Sequence, residues 1–506
     1  MLRNICLSTL LASALATVPF AALAQTAPSA ATPPIAVSPA GYPQAIIRGD
    51  YPDPSILRDG ADYYMIHSEY NYAPSFLIWH STDLIHWAPI ARALPEGTHA
   101  YAPDLTRING KFYIYYPAGG TNWVTTADNI RGPWTKPVDL KIAKIDPGHV
   151  VGEDGKHYLF TSGGHMTPLS DDGMAAAGPT RDAYAGWVYP SDWKTECMCL
   201  ESPKLIKRGD YFYLISAEGG TAGPATSHMA VAARSKSVNG PWENSPYNPI
   251  IHTYSADEDW WSKGHGTLID DVNGNWWIVY HAYEKGLYTL GRATLIDPID
   301  WTPDGWPVLA KVAHPLPGKP SAQDLAGMPL SDTFSGNALG LQWMGIGSLD
   351  GISVGGGKLH IQATGATVPT ARKLMITAQD AHYQMQVEID AAAGATGGLT
   401  LIYNDKAFAG LTADSDTLTI YRSATDSAPQ PNRYGRHLWL RIDNDHEKAT
   451  LSASRDGKHW DELASGVDVS GMNHNVYHGF LALRPTLTAN GTGEVTFDNF
   501  EYRALK

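Results

Sequence analysis

Positive charge is scarce in this chain. Fifty-one Asp and Glu face 37 Lys and Arg, a formal net charge of −14. Such a surface repels phosphate backbones and anionic lipid, which makes nucleic acid and membrane surfaces poor partners. Cysteine is almost missing, with three residues in 506. Cys6 falls in an N-terminal targeting segment, which leaves Cys197 and Cys199. Their spacing is poor for an unstrained disulfide between strand neighbours and supplies too few ligands for zinc. They are read as two small buried residues. No GxGxxG, Walker or long helical pattern occurs, which argues against α/β folds. Phe is sparse at 10, whereas Tyr and Trp reach 26 and 16. Those rings suit strand packing and, with a flat face and a polar edge, also suit sugars.

Long apolar runs are absent after the first two dozen residues. Residues 1–24 read as a signal peptide, with Arg3 ahead of an Ala/Leu-rich stretch and Ala22-Leu23-Ala24 as the cleavage site. Export to the periplasm or the medium follows. Residues 25–44 form a Pro/Ala-rich leader. A Trp/Tyr-rich region occupies 45–312, a Pro-bearing linker 313–330, and a Thr/Gly/Ala-rich region of alternating strands 331–506.

The Trp/Tyr-rich region repeats itself. RDGADYYMIHS, INGKFYIYYPA, EDGKHYLFTSG, KRGDYFYLISA and DVNGNWWIVYHA are each a Gly- or Asp-bearing turn leading into an alternating aromatic strand. A short strand precedes each. Five units of about 40–65 residues match the four-stranded blades of a propeller. A sandwich of five hairpins is the alternative, and the variable spacing argues against it. The expected fold is all-β: a five-bladed β-propeller, then a β-sandwich.

Asp53, Asp104, Asp146, Glu201 and His265 open the first strands of the five units. Innermost strands line a propeller's channel, so these residues converge on one ring. Clustered carboxylates oppose folding, because like charges raise one another's pKa. Enzymes use such pairs to hold one acid protonated beside an ionised one. Glycoside hydrolysis needs that division of labour. A single Asp beside Pro is equally read as a turn cap, and Asp146 is read that way. Trp79 is read either as a platform for a sugar face or as blade packing. Ser81–Trp87 and Ser454–Trp460 echo aspartate-box turns, which are structural.

The stretches GDYPDPSILRDGADYYMIHS, YAPDLTRINGKFYIYY, ESPKL, KGHGTLIDDVNGNWWIVYHA and GRATLIDPIDWTPDGWP, in this order, resemble glycoside hydrolase family 43. The resemblance implies an inverting glycosidase of β-xylosidase or α-L-arabinofuranosidase type. Asp53 becomes the general base, Glu201 the general acid, and Asp104 the residue that orients the acid and tunes its pKa. Arg292 is implied to hydrogen-bond the sugar. His265 is implied to stand on the channel axis beside either a calcium ion or ordered water. No cofactor is required for the chemistry, and the partner is an oligo- or polysaccharide. The second domain resembles the concanavalin-like module of many members, whose role as pocket wall, carbohydrate binder or support stays open. A non-catalytic sugar-binding propeller and a retaining fructan-type enzyme are the competing readings. The acid set argues against the first, the APDL and LESPK contexts against the second.

Overall fold

The computed structural model describes residues 35–95 and 99–506. The expected signal peptide and residues 25–34 of the leader lie outside them. Strand dominates, and the α-helices are single turns at Ala322–Ala326 and His474–Tyr477. Among the described residues no helix is long and apolar enough to cross a membrane.

Five antiparallel sheets form the propeller blades. Their innermost strands are Ser55–Asp59, Asp104–Ile108, Gly148–Val151, Glu201–Arg208 and Trp260–Asp270. Each touches the next, and the fifth touches the first, which closes the ring. The second strands are the aromatic ones anticipated from the repeat. Ile108 pairs with Lys111 across Asn109-Gly110, both at positive φ (50° and 85°). That is the two-residue turn whose twist matches the strands. In the fifth blade, Gln44–Ile47 pairs with Arg292–Trp301. The start of the described chain is thus sewn to the last blade.

Alternating aromatic strands fill the spaces between blades. Tyr63, Tyr115, Tyr213 and Trp277 are wholly buried there. Trp79 is among them, 2% exposed and edge-on to Tyr51 at 5.1 Å. Its place in Ser75–Ser81, between two strands of blade one, directs it into the blade core. The expectation of a sugar platform at Trp79 is therefore corrected to blade packing.

The sandwich packs an eight-stranded sheet on a seven-stranded one. Its strand Met344–Ile346 pairs with Tyr72–Ala73 of the propeller, so one sheet runs across both domains. Arg484 of the sandwich forms a buried ion pair with Asp50 of the propeller at 3.0 Å. The two aspartate boxes are turns, as expected. Asp83 accepts from the backbone N–H of Ile85 and His86, and Asp456 from those of Lys458 and His459. Cys197 and Cys199 form a disulfide, contrary to the sequence reading. They lie in a loop, not a strand, and Cys199 at φ 38° bends the chain so that the Cα atoms stand 5.3 Å apart.

Candidate active site

An X-Pro step stands at the mouth end of four innermost strands: Asp53-Pro54, Ala102-Pro103 and Asp146-Pro147 just before theirs, and Ser202-Pro203 just inside the fourth. In the fifth, His265-Gly266 takes this place. All five X residues have left-handed φ (59°, 37°, 56°, 53° and 55°), which non-glycine residues adopt rarely. This shared backbone twist marks the channel mouth. Two residues further on, Ser55, Asp104, Gly148, Lys204 and Thr267 form a second layer, because residues i and i+2 of a strand share a face.

The layering separates the acids. Asp104 belongs to the second layer, with Lys204 Nζ at 3.0 Å and the His149 N–H donating to it at 2.8 Å. Lys204 also donates to the carbonyls of Pro103 and Pro147. Ser55 accepts from the Leu105 N–H, and Thr267 donates to the Pro54 carbonyl. Gly148 has no room for a side chain, since a Cβ there would stand 1.6 Å from the Pro203 carbonyl oxygen. Asp104 is thus a buried tie between blades and does not reach the pocket wall. Asp146, read from sequence as a turn, lines the pocket instead.

That pocket has a volume of about 360 Å³, and Asp53, Asp146, Glu201, His265 and Arg292 are in its wall. Tyr70, Tyr101, Ala102, Ile145 and Thr221 complete the propeller side; Gly479 and Phe480 come from the sandwich. The tyrosines stack at 6.1 Å, and Phe480 lies face to face with His474 at 3.8 Å. The Phe480 N–H donates to His474 Nδ1, which fixes the loop, and the Arg292 guanidinium faces the Phe480 ring at 5.5 Å. The sandwich therefore closes one side of the pocket. Segment 165–193 contributes no residue to its lining.

The two sides of the pocket differ in charge. Asp53 Oδ1 lies 3.1 Å from Arg292 Nη1, 3.1 Å from His281 Nδ1 and 3.4 Å from His265 Nδ1, and Oδ2 accepts from the Ser68 hydroxyl. Burial alone would raise its pKa, but Arg292, His265 and His281 outweigh burial and hold it well below the usual carboxylate range. Arg292 also donates to the Tyr70 hydroxyl. Across the pocket, Glu201 is pushed well above its usual value by burial, then by the charges of Asp146 and Asp53. Asp146 is raised by burial and by Asp53, opposed by a bond from the Ser202 N–H at 3.1 Å. Glu201 keeps 21% of its side chain exposed, which leaves its carboxyl open to a ligand.

His265 borders this pocket, and two donor groups meet there: Asp53 with His265 and His281, and Glu201 with His228 and His265. Each offers two imidazoles and one carboxylate. Calcium takes six to eight oxygen ligands, so these residues do not fit the calcium ion implied for His265. Burial, more than any charge, lowers its pKa to about 3, so it is a neutral imidazole.

The arrangement defines a class: an axial pocket in a five-bladed propeller, with one carboxyl whose pKa is depressed facing two whose pKa values are raised, and a sandwich loop for a wall. Residues 42–307 match the family model for glycosyl hydrolases family 43, and residues 331–503 match the β-xylosidase C-terminal concanavalin A-like domain. The chain belongs to glycosyl hydrolases family 43. It is 34% identical over 322 residues to the non-reducing end α-L-arabinofuranosidase BoGH43B of Bacteroides ovatus, covering 57% of this chain and 58% of that protein. A putative β-xylosidase of Escherichia coli is 26% identical, covering 80% of this chain and 88% of its own. The match thus spans little more than half of the first relative and most of the second. The solved structure of the GH43 BlXynB protein from Bacillus licheniformis superposes with a TM-score of 0.81 at 27% identity, covering 92% of this chain and all of that one.

Sequence reasoning gathered Asp53, Glu201, Arg292 and His265 correctly into one place. It missed Asp146 as a pocket residue, and also Tyr70, His281 and Phe480. The X-Pro steps carried the signal for Asp146. Counted from the proline, Asp53 and Asp146 hold the same position, and Asp104 stands two residues deeper.

Proposed function

We propose that this protein is an inverting, exo-acting glycoside hydrolase that removes terminal pentose residues, β-D-xylose above all, from hemicellulose-derived glycans. The observation that carries the reading is the split between an ionised Asp53 and a protonated Glu201 in one pocket. Asp53 takes a proton from water as the water oxygen bonds to the anomeric carbon. Glu201 gives its proton to the departing glycosidic oxygen as the carbon–oxygen bond breaks. Asp146, not Asp104, keeps Glu201 protonated, because its neighbouring carboxyl disfavours a second negative charge. Arg292 and Tyr70 orient the sugar, and Phe480 limits the space around it. Inversion needs room for a water, which corresponds to carboxyl groups roughly 6.5–9.5 Å apart.

The names of relatives support xylose as the first substrate: a xylan 1,3-β-xylosidase from a Vibrio species is 30% identical. The Bacteroides ovatus relative favours a second reading, α-L-arabinofuranosidase, on the same residues. A panel of nitrophenyl pentosides separates the two, run on wild type and Glu201→Ala. NMR of the first product reads its anomeric form. The expected result is fastest release from the β-xyloside, with α-xylose formed first and Glu201→Ala slowed by about 10² to 10⁴. Full activity in Glu201→Ala, or β-xylose as the first product, would overturn the mechanism. Long oligosaccharides released from xylan would overturn exo action. Residues 1–24 support export, which N-terminal sequencing of the protein recovered from a host's periplasm or medium would test.

A further inference from the structure

Among the described imidazoles grouped with Asp53 and Glu201, His228 has no hydrogen-bond partner on either nitrogen. Its ring is fully buried, and neither nitrogen meets a protein hydrogen-bond partner. The ring is nonetheless held firmly. One contact is the His281 ring, stacked at 5.3 Å and 11°. Another is Gly264, where a Cβ would stand 2.0 Å from the His228 ring, so only glycine lets the imidazole lie there. Burying an imidazole with both nitrogens unbonded opposes folding, and a site that fixes such a ring invites a reason.

The two imidazoles beside Asp53 have one. His281 and His265 stand 3.1 and 3.4 Å from the Asp53 carboxylate. His228 turns the other way, and its Nε2 is 4.0 Å from Glu201 Oε1. That is beyond a hydrogen bond, and a shift of about 1 Å would close it. The charged and titratable groups acting on Glu201 are Asp146, Asp53, Arg292 and Glu196, with His265 beside it. Burial, then His281 and His265, keep His228 neutral, so one of its nitrogens carries a hydrogen.

We propose that His228 is a positioning residue for the acid, whose Nε2–H receives the Glu201 carboxylate as the Glu201 proton passes to the departing sugar oxygen. The bond is absent while Glu201 is protonated and forms as charge develops. It therefore favours the transition state over the ground state, the condition for an interaction to accelerate reaction. The donor is fixed before reaction in a buried position, where such bonds act most strongly. No group is consumed, and His228 returns to its resting contact when solvent reprotonates Glu201.

This inference rests on Glu201 being the general acid, and the test separates the two. Two substrates are compared: xylobiose, whose departing sugar needs a proton, and dinitrophenyl β-xyloside, whose leaving group departs without one. His228→Leu removes the donor at similar bulk, and His228→Gln restores an N–H near Nε2. The expected result is a kcat on xylobiose lowered about 10- to 100-fold in His228→Leu, with little loss on the dinitrophenyl substrate and partial recovery in His228→Gln. The ratio of the two rates in one preparation does not depend on how much protein has folded. Equal losses on both substrates, or no recovery in His228→Gln, would overturn the role of His228. Unimpaired xylobiose hydrolysis by Glu201→Gln would instead overturn the assignment of Glu201.

Discussion

Asp53 and Asp146 occupy the same place in two blades. Each precedes a proline at the start of an inner strand, with φ of 59° and 56°, and each is buried, 5% and 3% exposed. Their chemistry is nonetheless opposite. Beside Asp53 the fifth blade brings Arg292, His265 and His281, and the carboxylate stays ionised. Beside Asp146 the fourth blade brings Glu201, another acid, and both pKa values rise. A repeat fixes where a side chain points, and the neighbouring blade decides its charge. The sign for stability follows. Asp53 stabilises the fold at neutral pH, and that contribution is lost as pH falls through its depressed pKa. Asp146 and Glu201 behave in reverse, since their ionisation costs stability as pH rises through their raised values.

The largest effects should come from removing either end of the charge split. Asp53→Ala should lower kcat by about 10³ or more on every substrate, since water attack is needed whatever the leaving group. Glu201→Ala should lose most on sugars with poor leaving groups and least on dinitrophenyl xyloside. Kinetics on the two substrates check this, and identical patterns for the two variants would erase the distinction between the walls.

Phe480→Ala opens the wall that the sandwich supplies. A lost aromatic wall in a small pocket should reduce kcat/KM by about 5- to 30-fold, mostly through KM, with little change in Tm. Unchanged KM would mean that the sandwich supports the propeller without shaping the site. A larger consequence for folding is expected from the tie between the domains, because Arg484→Met would leave Asp50 buried and without its ion-pair partner. About 3–5 kcal/mol of stability should be lost, read as a fall in Tm.

Much of this was legible in the chain. The five turn-and-strand repeats gave the propeller, since each local signal, a Gly-bearing turn and an aromatic alternation, agrees with the blade it builds. Asp53, Glu201 and Arg292 were legible because their places in the repeat and their motifs coincide. Asp104 was misplaced because the first acid of a strand was taken as the repeat's marker. The proline is the better marker, as it sets the backbone twist. Trp79 was left open between two readings because its strand, flanked on both sides within blade one, is buried almost throughout and shows no alternation. Phe480 could not be read at all, because a contact between residues so far apart in sequence depends on how two domains dock. The Cys197–Cys199 bond was missed because a strand was assumed where the chain bends.

The central claim is that Asp146, and not Asp104, keeps Glu201 protonated. The pH dependence of kcat/KM on xylobiose tests it, compared among wild type, Asp146→Asn and Asp104→Asn. Wild type should lose activity on the alkaline side above the ordinary glutamate range of about 4.3. Asp146→Asn removes the like charge beside Glu201, so that limb should move to lower pH. Asp104→Asn should leave the limb in place and lower Tm, because Lys204 loses a buried partner. An alkaline limb that moves in Asp104→Asn and stays fixed in Asp146→Asn would contradict the account.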